Sequence, residues 1–181
     1  IVVSSLFQAM LSIVKTLADT ENQLPSITFW LMGSLGRGVN RDVLFMLPTL
    51  AVSLLLLFLF RHHVNALAAG EDEARTMGVN VTLVKGVIVA ASTLMTVSAV
   101  SICGIVGWVG LVIPHLARMF AGASYSRIMV VSFLLGGLFL LCVDDIVRGV
   151  PKVEVPLGVL TAIIGTPVFA ALLPRLRRGW T

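Results

Sequence analysis

Apolar residues run along this chain in long blocks separated by short polar intervals, and none of the blocks alternates with a period of two, so they predict helices rather than strands. Six blocks stand out: Ile1 to Leu17, Asp42 to Phe60, Leu83 to Ile102, Val106 to Ala121, Ile128 to Val147 and Pro156 to Leu173. A bilayer core of about 30 Å takes roughly 20 residues of helix to cross. Backbone polar groups in lipid must find partners within the protein, which leaves helices or a closed barrel. The pattern therefore predicts an all-α, polytopic transmembrane bundle, with residues 1–181 forming a single transmembrane domain.

The joins between blocks carry their own signals. The third and fourth meet at "CGIVGWVG", where Gly104, Gly107 and Gly110 favour a tight turn or re-entry. One over-long helix from Leu83 to Pro114 is the alternative, and its length would strain the bilayer. Pro114 lacks a backbone donor and is expected to kink or end its helix, with Gly107 and Gly110 allowing close packing beside it. His115 and Arg118 then fall near one end of the span, where their polar heads can reach water or headgroups. Between the first two blocks, "LPSITFWLMGSLG" reads as a short interfacial helix capped at Ser26 and ended by the glycines from Gly33 to Gly38.

Some polar positions lie inside the spans. Ser4, Gln8 and Ser12 recur every four residues and share one helix face, as either interhelical packing or the lining of a pathway. Ser92, Thr93, Thr96, Ser98 and Ser101 are dispersed among small apolar residues, a pattern of helix packing. Phe29, Met32 and Leu35 of the interfacial segment offer an apolar lining.

Composition agrees with the pattern. Of 181 residues, 57% are hydrophobic and 12% charged, and the mean hydropathy is +1.01, outside the range of soluble domains. The opening "IVVSSLFQAM" has no initiator Met and no basic leader, so the chain reads as beginning within a helix, truncated at its N-terminus. Cys103 and Cys142 lie in separate apolar runs without metal-ligand spacing and behave as small apolar residues. The net charge of +4 does not imply nucleic acid, because the basic residues flank apolar segments and set orientation instead. With residues 61–82 facing the cytoplasm, eight basic residues (Arg61, Arg75, Lys85, Arg118, Arg127, Arg175, Arg177 and Arg178) fall inside, against Lys15, Arg37, Arg41, Arg148 and Lys152 outside. The C-terminus is then cytoplasmic.

The most polar stretch is "LAAGEDEARTMGVNV". Glu71, Asp72 and Glu73 suit a helix N-terminus, and Gly78 suits a left-handed C-terminal cap after two turns. Such a helix is either a solvated connector or a docking element. Gly70, Glu71, Ala74, Arg75 and Gly78 match the "GE-x-x-AR-x-LG" pattern of the coupling loop in permeases of the iron-chelate and vitamin B12 class of ABC importers, with Met77 in place of its Leu. "GWVGLVIPHLAR" resembles that family's "GFVGLIVPHLAR", with Trp108 for Phe. "DDIVR" resembles "AD-x-x-AR", and "EVPLGVLTAIIGTPVFAALL" is similar to "ELPVGIVTALIGAPFFLWLL". These matches run in the same order along nearly the whole chain.

The resemblance implies a ten-helix permease subunit of which this chain holds about the last six spans, working beside a second permease subunit, most simply a homodimer, in the cytoplasmic membrane of a bacterium or archaeon. It implies ATPase subunits that bind ATP and Mg and push on the Glu71 to Gly78 helix of a cytoplasmic coupling loop at residues 61–82, and an extracytoplasmic binding protein that meets Arg148 and, more weakly, Lys152. Pro114 and His115 become part of a flexing element. Asp144 and Arg148, four apart, form a local ion pair on the residues alone. His62 and His63 read as interfacial anchors.

Three function classes follow. A transport subunit that hydrolyses nothing itself fits best, since "GSLGRG" lacks the Lys and Ser or Thr of a phosphate-binding loop. An ion-gradient-driven transporter would place ionisable groups near mid-membrane, whereas here they sit at span ends. An intramembrane enzyme would need a nucleophile, base or metal set that neither His115 nor the Asp pair supplies. Within the family, an iron chelate such as an iron-siderophore is the expected cargo, with haem, cobalamin and molybdate as alternatives.

Overall fold

The computed structural model describes residues 1–36, 38–122, 124–149 and 155–177, with side chains described as far as residue 171. Every regular element among the described residues is a helix: α1 (Val2–Leu17), α2 (Gln23–Leu31), α3 (Asn40–Leu59), α4 (Arg61–Leu67), α5 (Glu71–Thr76), α6 (Val81–Cys103), α7 (Val109–Ala121), α8 (Tyr125–Gly149) and α9 (Leu157–Arg177). Three of them, α3, α6 and α8, are long and apolar enough to cross a membrane, while Val2–Leu17, Val109–Ala121 and Leu157–Ala171 are shorter apolar helices. The six apolar blocks are all present, each within a few residues of its expected bounds.

Two antiparallel pairs form the body, α3 against α6 and α7 against α8, and α9 packs on both members of the second pair. Small and branched side chains fill these seams: Ser53, Leu57, Val84 and Ala91 are buried on α3 and α6, and Val112, Ile113, Ala117, Ala121 and Val143 on α7 and α8. Close approach through small residues suits helices whose association in lipid rests on van der Waals contact. The hydroxyls of α6 turn inward on their own helix: Ser92 donates to the Ile88 carbonyl at 2.6 Å, Thr96 to Ser92 at 2.8 Å and Ser98 to Leu94 at 2.8 Å. They satisfy themselves locally rather than tying helices together.

Two helix starts depart from expectation because nearby acids order the preceding turn. α2 begins at Gln23, not Ser26; Ser26 lies inside it and donates to the Asn22 carbonyl at 2.8 Å. The turn before it is built by Asp19, whose carboxylate accepts the N–H groups of Glu21 and Asn22 at 3.4 and 3.3 Å. Pro25 then falls in the first turn, where a missing donor costs little. α3 starts at Asn40, with Asp42 accepting the Val39 N–H at 3.1 Å.

The α6–α7 join is a break, so the single long helix is excluded. Gly104 (φ 71°, ψ −163°) ends α6, and Trp108 (φ 68°) precedes α7. α7 runs through Pro114 without ending. The close packing expected at Gly107 and Gly110 is absent among the described residues: a methyl group at either would meet nothing within 4 Å. His115 is half-buried and bonded to its own helix. Its Nδ1–H donates to the Leu111 carbonyl at 2.8 Å, and its ring stands edge-on to Phe169 with centroids 6.2 Å apart. Arg118, one turn on, is the exposed one.

Candidate functional site

Candidate chemistry collects at the two ends of α6, a helix of 23 residues and thus about 35 Å long. At its first end lies a polar arm made of α4, α5 and their turns. Gly70 (φ 135°) breaks the chain between the two helices, and a side chain there would run into the Glu73 carboxylate. α5 follows with Glu71, Asp72 and Glu73 in its first turn, the favourable placement for acids at the positive end of a helix. Gly78 (φ 79°) ends it, and the Val79 N–H returns to the Ala74 carbonyl at 3.0 Å, as a left-handed C-terminal cap requires. Asn80 then caps α6 by accepting the Leu83 N–H at 3.1 Å.

One face of the arm is packed and the other is charged. Ala74 is fully buried, and Val81 and Val84 are buried at the start of α6, so α5 is seated on the bundle by its small residue. Outward, Arg75 lies 3.9 Å from Glu71 and 3.3 Å from Asp72, with its side chain 61% exposed. Lys85 of α6 pairs with Glu71 across the turn. That hydrogen bond, then the lysine's charge, holds the Glu71 carboxyl below its ordinary value, with partial desolvation opposing and Arg75 assisting. These are exposed pairs, screened by solvent, so they orient the arm more than they hold it.

Two residues of this end were not singled out from the sequence. Lys85 lies just past the first turn of α6, and its partner Glu71 is fourteen residues earlier, a spacing that no local pattern marks. Asn65 of α4 accepts the Tyr125 N–H at 2.8 Å, sixty residues away, and its amide lies 3.5 Å from the Ser126 hydroxyl. Nothing local announces it. Arg61 stacks 3.7 Å over Phe58, His63 lies against Phe60, and His62 is exposed.

At the other end of α6, three chain segments cross at backbone distance. The Ser34 N–H donates to the Cys103 carbonyl at 2.9 Å, Leu157 to Gly33 at 2.9 Å and Gly158 to Met32 at 3.0 Å. A methyl at Gly33 would stand 2.8 Å from the Ile105 carbonyl, and one at Gly158 would stand 2.5 Å from that of Met32. At Gly104 it would collide with the Trp30 carbonyl. Just below, the Trp108 Cβ presses on Gly165, and its ring lies 6.2 Å from that of Phe169.

The remaining expected residues are placed separately. Met32 is half-buried at the crossing and Leu35 half-buried beyond it, while Phe29 is exposed. A cavity of about 380 Å³ beside them is lined instead by Trp30, Asp42, Phe45, Met46, Ser98, Ser101 and Ile102. Ser4, Gln8 and Ser12 are exposed on α1, which has no extensive packing against any other described helix, and the Ser12 hydroxyl donates to Gln8 at 2.9 Å. Arg148 donates to Asp144 at 2.7 Å, its side chain 62% exposed and that of Asp144 only 15%. Lys152 lies outside the described residues. Among the described residues no group of three or more His, Cys, Asp or Glu could hold a metal.

Apolar helices joined at one end by a capped polar arm and at the other by a glycine crossing make this a polytopic helical membrane domain. The FecCD transport family model matches residues 1–175, and the chain belongs to that family. It is 38% identical over 179 residues to the molybdate import system permease protein MolB of Haemophilus influenzae, covering 98% of this chain and 53% of that protein. It is 39% identical over 165 residues to the Fe(3+) dicitrate transport system permease protein FecD of Escherichia coli, covering 88% and 49%. A solved inward-facing structure of an ABC transporter described as of metal-chelate type matches with a TM-score of 0.91 at 35% identity, over 96% of this chain and 56% of that one. The chain spans about half the length of the curated relatives it matches. The family and all-α fold expected from the motifs are thus borne out.

Proposed function

We propose that the parent protein is the membrane-spanning permease subunit of a binding-protein-dependent ABC importer, moving its cargo inward while separate ATPase subunits bind ATP and Mg. The observation that carries this reading is the arm at residues 61–82. Gly70, Glu71, Ala74, Arg75 and Gly78 build a short helix buried on one side by Ala74 and charged on the other, which suits a surface that is pushed by a partner. In this reading the arm is cytoplasmic, the C-terminus lies on the same side, and the glycine crossing faces outward. A second permease copy completes the pathway, and residues 1–181 form one transmembrane unit of it.

At the outer end, the exposed Arg148 guanidinium, held by the mostly buried Asp144, offers a fixed positive charge to an acidic face of the binding protein. Gly107, Gly110, Pro114, His115 and Arg118 belong to the short α7 that returns from that end to the arm. Cargo follows family kinship: MolB is named for molybdate and FecD for ferric dicitrate, and an iron-siderophore is the first cargo to test.

The test is co-purification of the ATPase with the full-length, detergent-solubilised parent protein. Wild type retains the ATPase, and Glu71→Lys combined with Arg75→Glu releases it while leaving membrane insertion intact. An ATPase retained equally by the double variant removes the arm from this role. Uptake of radiolabelled ferric siderophore against molybdate by cells expressing the complex assigns the cargo.

A further inference from the structure

The first turn of α8 is hydrogen-bonded to a residue about sixty positions earlier in the chain. The first four N–H groups of a helix have no partner within it. At Tyr125 that vacancy is filled by Asn65 Oδ1 at 2.8 Å, and the Asn65 amide continues to the Ser126 hydroxyl at 3.5 Å. Among the described contacts, Asn65 gives the Tyr125 N–H its hydrogen bond, whereas the Ile128 N–H already bonds within the chain to Ser124 at 3.0 Å. Asn65 thus makes a two-point fork between α4 and the first turn of the 25-residue α8.

Its position matters as much as its bonds. α4 packs against α3, α5, α6 and α8, so it touches both walls of the bundle and the exposed α5. It is joined to α5 through three residues, with the Gly70 N–H returning to Leu67 at 3.2 Å. α5 itself packs on α6 and is tied to it by the Glu71–Lys85 pair, but among the described residues it has no extensive packing on α8. A displacement of α5 therefore reaches α6 directly and α8 by way of α4, where a directional hydrogen-bond fork transmits rotation that apolar contact would let slip.

We propose that Asn65 is the positioning residue through which movement of the α4–α5 arm sets the first turn of α8. The inference rests on the reading of that arm as the ATPase-facing element. It separates two routes from one input: α6 follows α5 by packing, and α8 follows α4 by the Asn65 fork.

Hydrogen exchange of the full-length complex, with and without a non-hydrolysable ATP analogue, tests this. In wild type, nucleotide changes exchange both in α5 and at Tyr125 to Ile128. In Asn65→Ala, basal exchange at Tyr125 rises about five-fold, as loss of one hydrogen bond of ordinary strength allows. The nucleotide-dependent change there disappears, while that in α5 remains. A cap that is only structural would raise the basal rate and leave the nucleotide response in place, and that result overturns the proposal. Asn65→Asp keeps the acceptor for Tyr125 and is expected to restore the response; failure to do so also overturns it. If wild type shows a response in α5 and none at Tyr125, the inference alone falls. If no ATPase co-purifies with wild type, the functional reading falls and takes this inference with it.

Discussion

At the glycine crossing, backbone lies against backbone, with carbonyls of Met32, Gly33 and Cys103 accepting N–H groups from segments distant in sequence. At the polar arm, contact between elements runs through side chains: Ala74 in its seat, Asn65 on Tyr125, Lys85 on Glu71. Backbone contacts cannot change rotamer, so the crossing has one arrangement or none. Exposed side-chain pairs tolerate small shifts at little cost. The two ends of α6 are thus built differently, one fixed by backbone contacts and the other joined by side chains, which is the contrast that the proposed function of the arm calls for.

Substitutions at the crossing should have the largest effects. Gly104 occupies a backbone region open almost only to glycine, and a methyl would also strike the Trp30 carbonyl. Gly104→Ala is expected to cost about 3 kcal/mol or more, seen as a fall in the thermal midpoint of the detergent-solubilised protein. Gly107→Ala, three residues on and with open space around it, should stay within about 0.5 kcal/mol. Equal effects at the two sites would mean that the crossing is not a constraint.

The arm should respond more mildly. Gly78→Ala meets no neighbour within 4 Å and suffers only from its positive φ, a cost of about 1–2 kcal/mol read from the same thermal midpoint. A larger loss would mean the arm is as rigidly specified as the crossing.

On the docking role proposed for Arg148, Arg148→Glu should weaken binding of the extracytoplasmic protein, most at low salt where charge attraction is least screened. An affinity whose salt dependence is unchanged would remove Arg148 from that surface.

The smallest effect belongs to Glu71. Its carboxyl is held below the ordinary 4.5 by Lys85. The pair therefore contributes fully above pH 4.5, and the contribution is lost as pH falls through the lowered folded value. Glu71→Gln should abolish the fall of the thermal midpoint across that acid range, with a midpoint slightly below wild type at neutral pH, where the pair is intact, and equal to it once the carboxyl is protonated. A neutral-pH loss as large as that of Gly104→Ala would contradict the comparison.

What the sequence disclosed was what is local. Unbroken apolar runs marked the helices, three acids followed by Gly78 marked α5 and its cap, and the glycines after Cys103 marked the break before α7. The misses are tertiary. Gly107 and Gly110 look like packing glycines on the page, yet Gly33, Gly104 and Gly158 are the ones that meet foreign backbone, and only the partner segment distinguishes them. Ser26 looks like a cap because it follows a proline, but Asp19 had already ordered the turn before it. Asn65 satisfies a helix that begins sixty residues later, and His115 finds its acceptor one turn back in its own helix.

The most direct test of the account places a photo-cross-linking side chain at Asp72, whose own side chain is 92% exposed on the arm, and in a second variant at the exposed Gly36 beyond the crossing. Irradiation of membranes carrying the complete transporter should join the ATPase subunit to position 72 and not to position 36. An ATPase adduct at position 36, with none at position 72, would contradict the assignment of the arm as the element that receives the force of ATP binding.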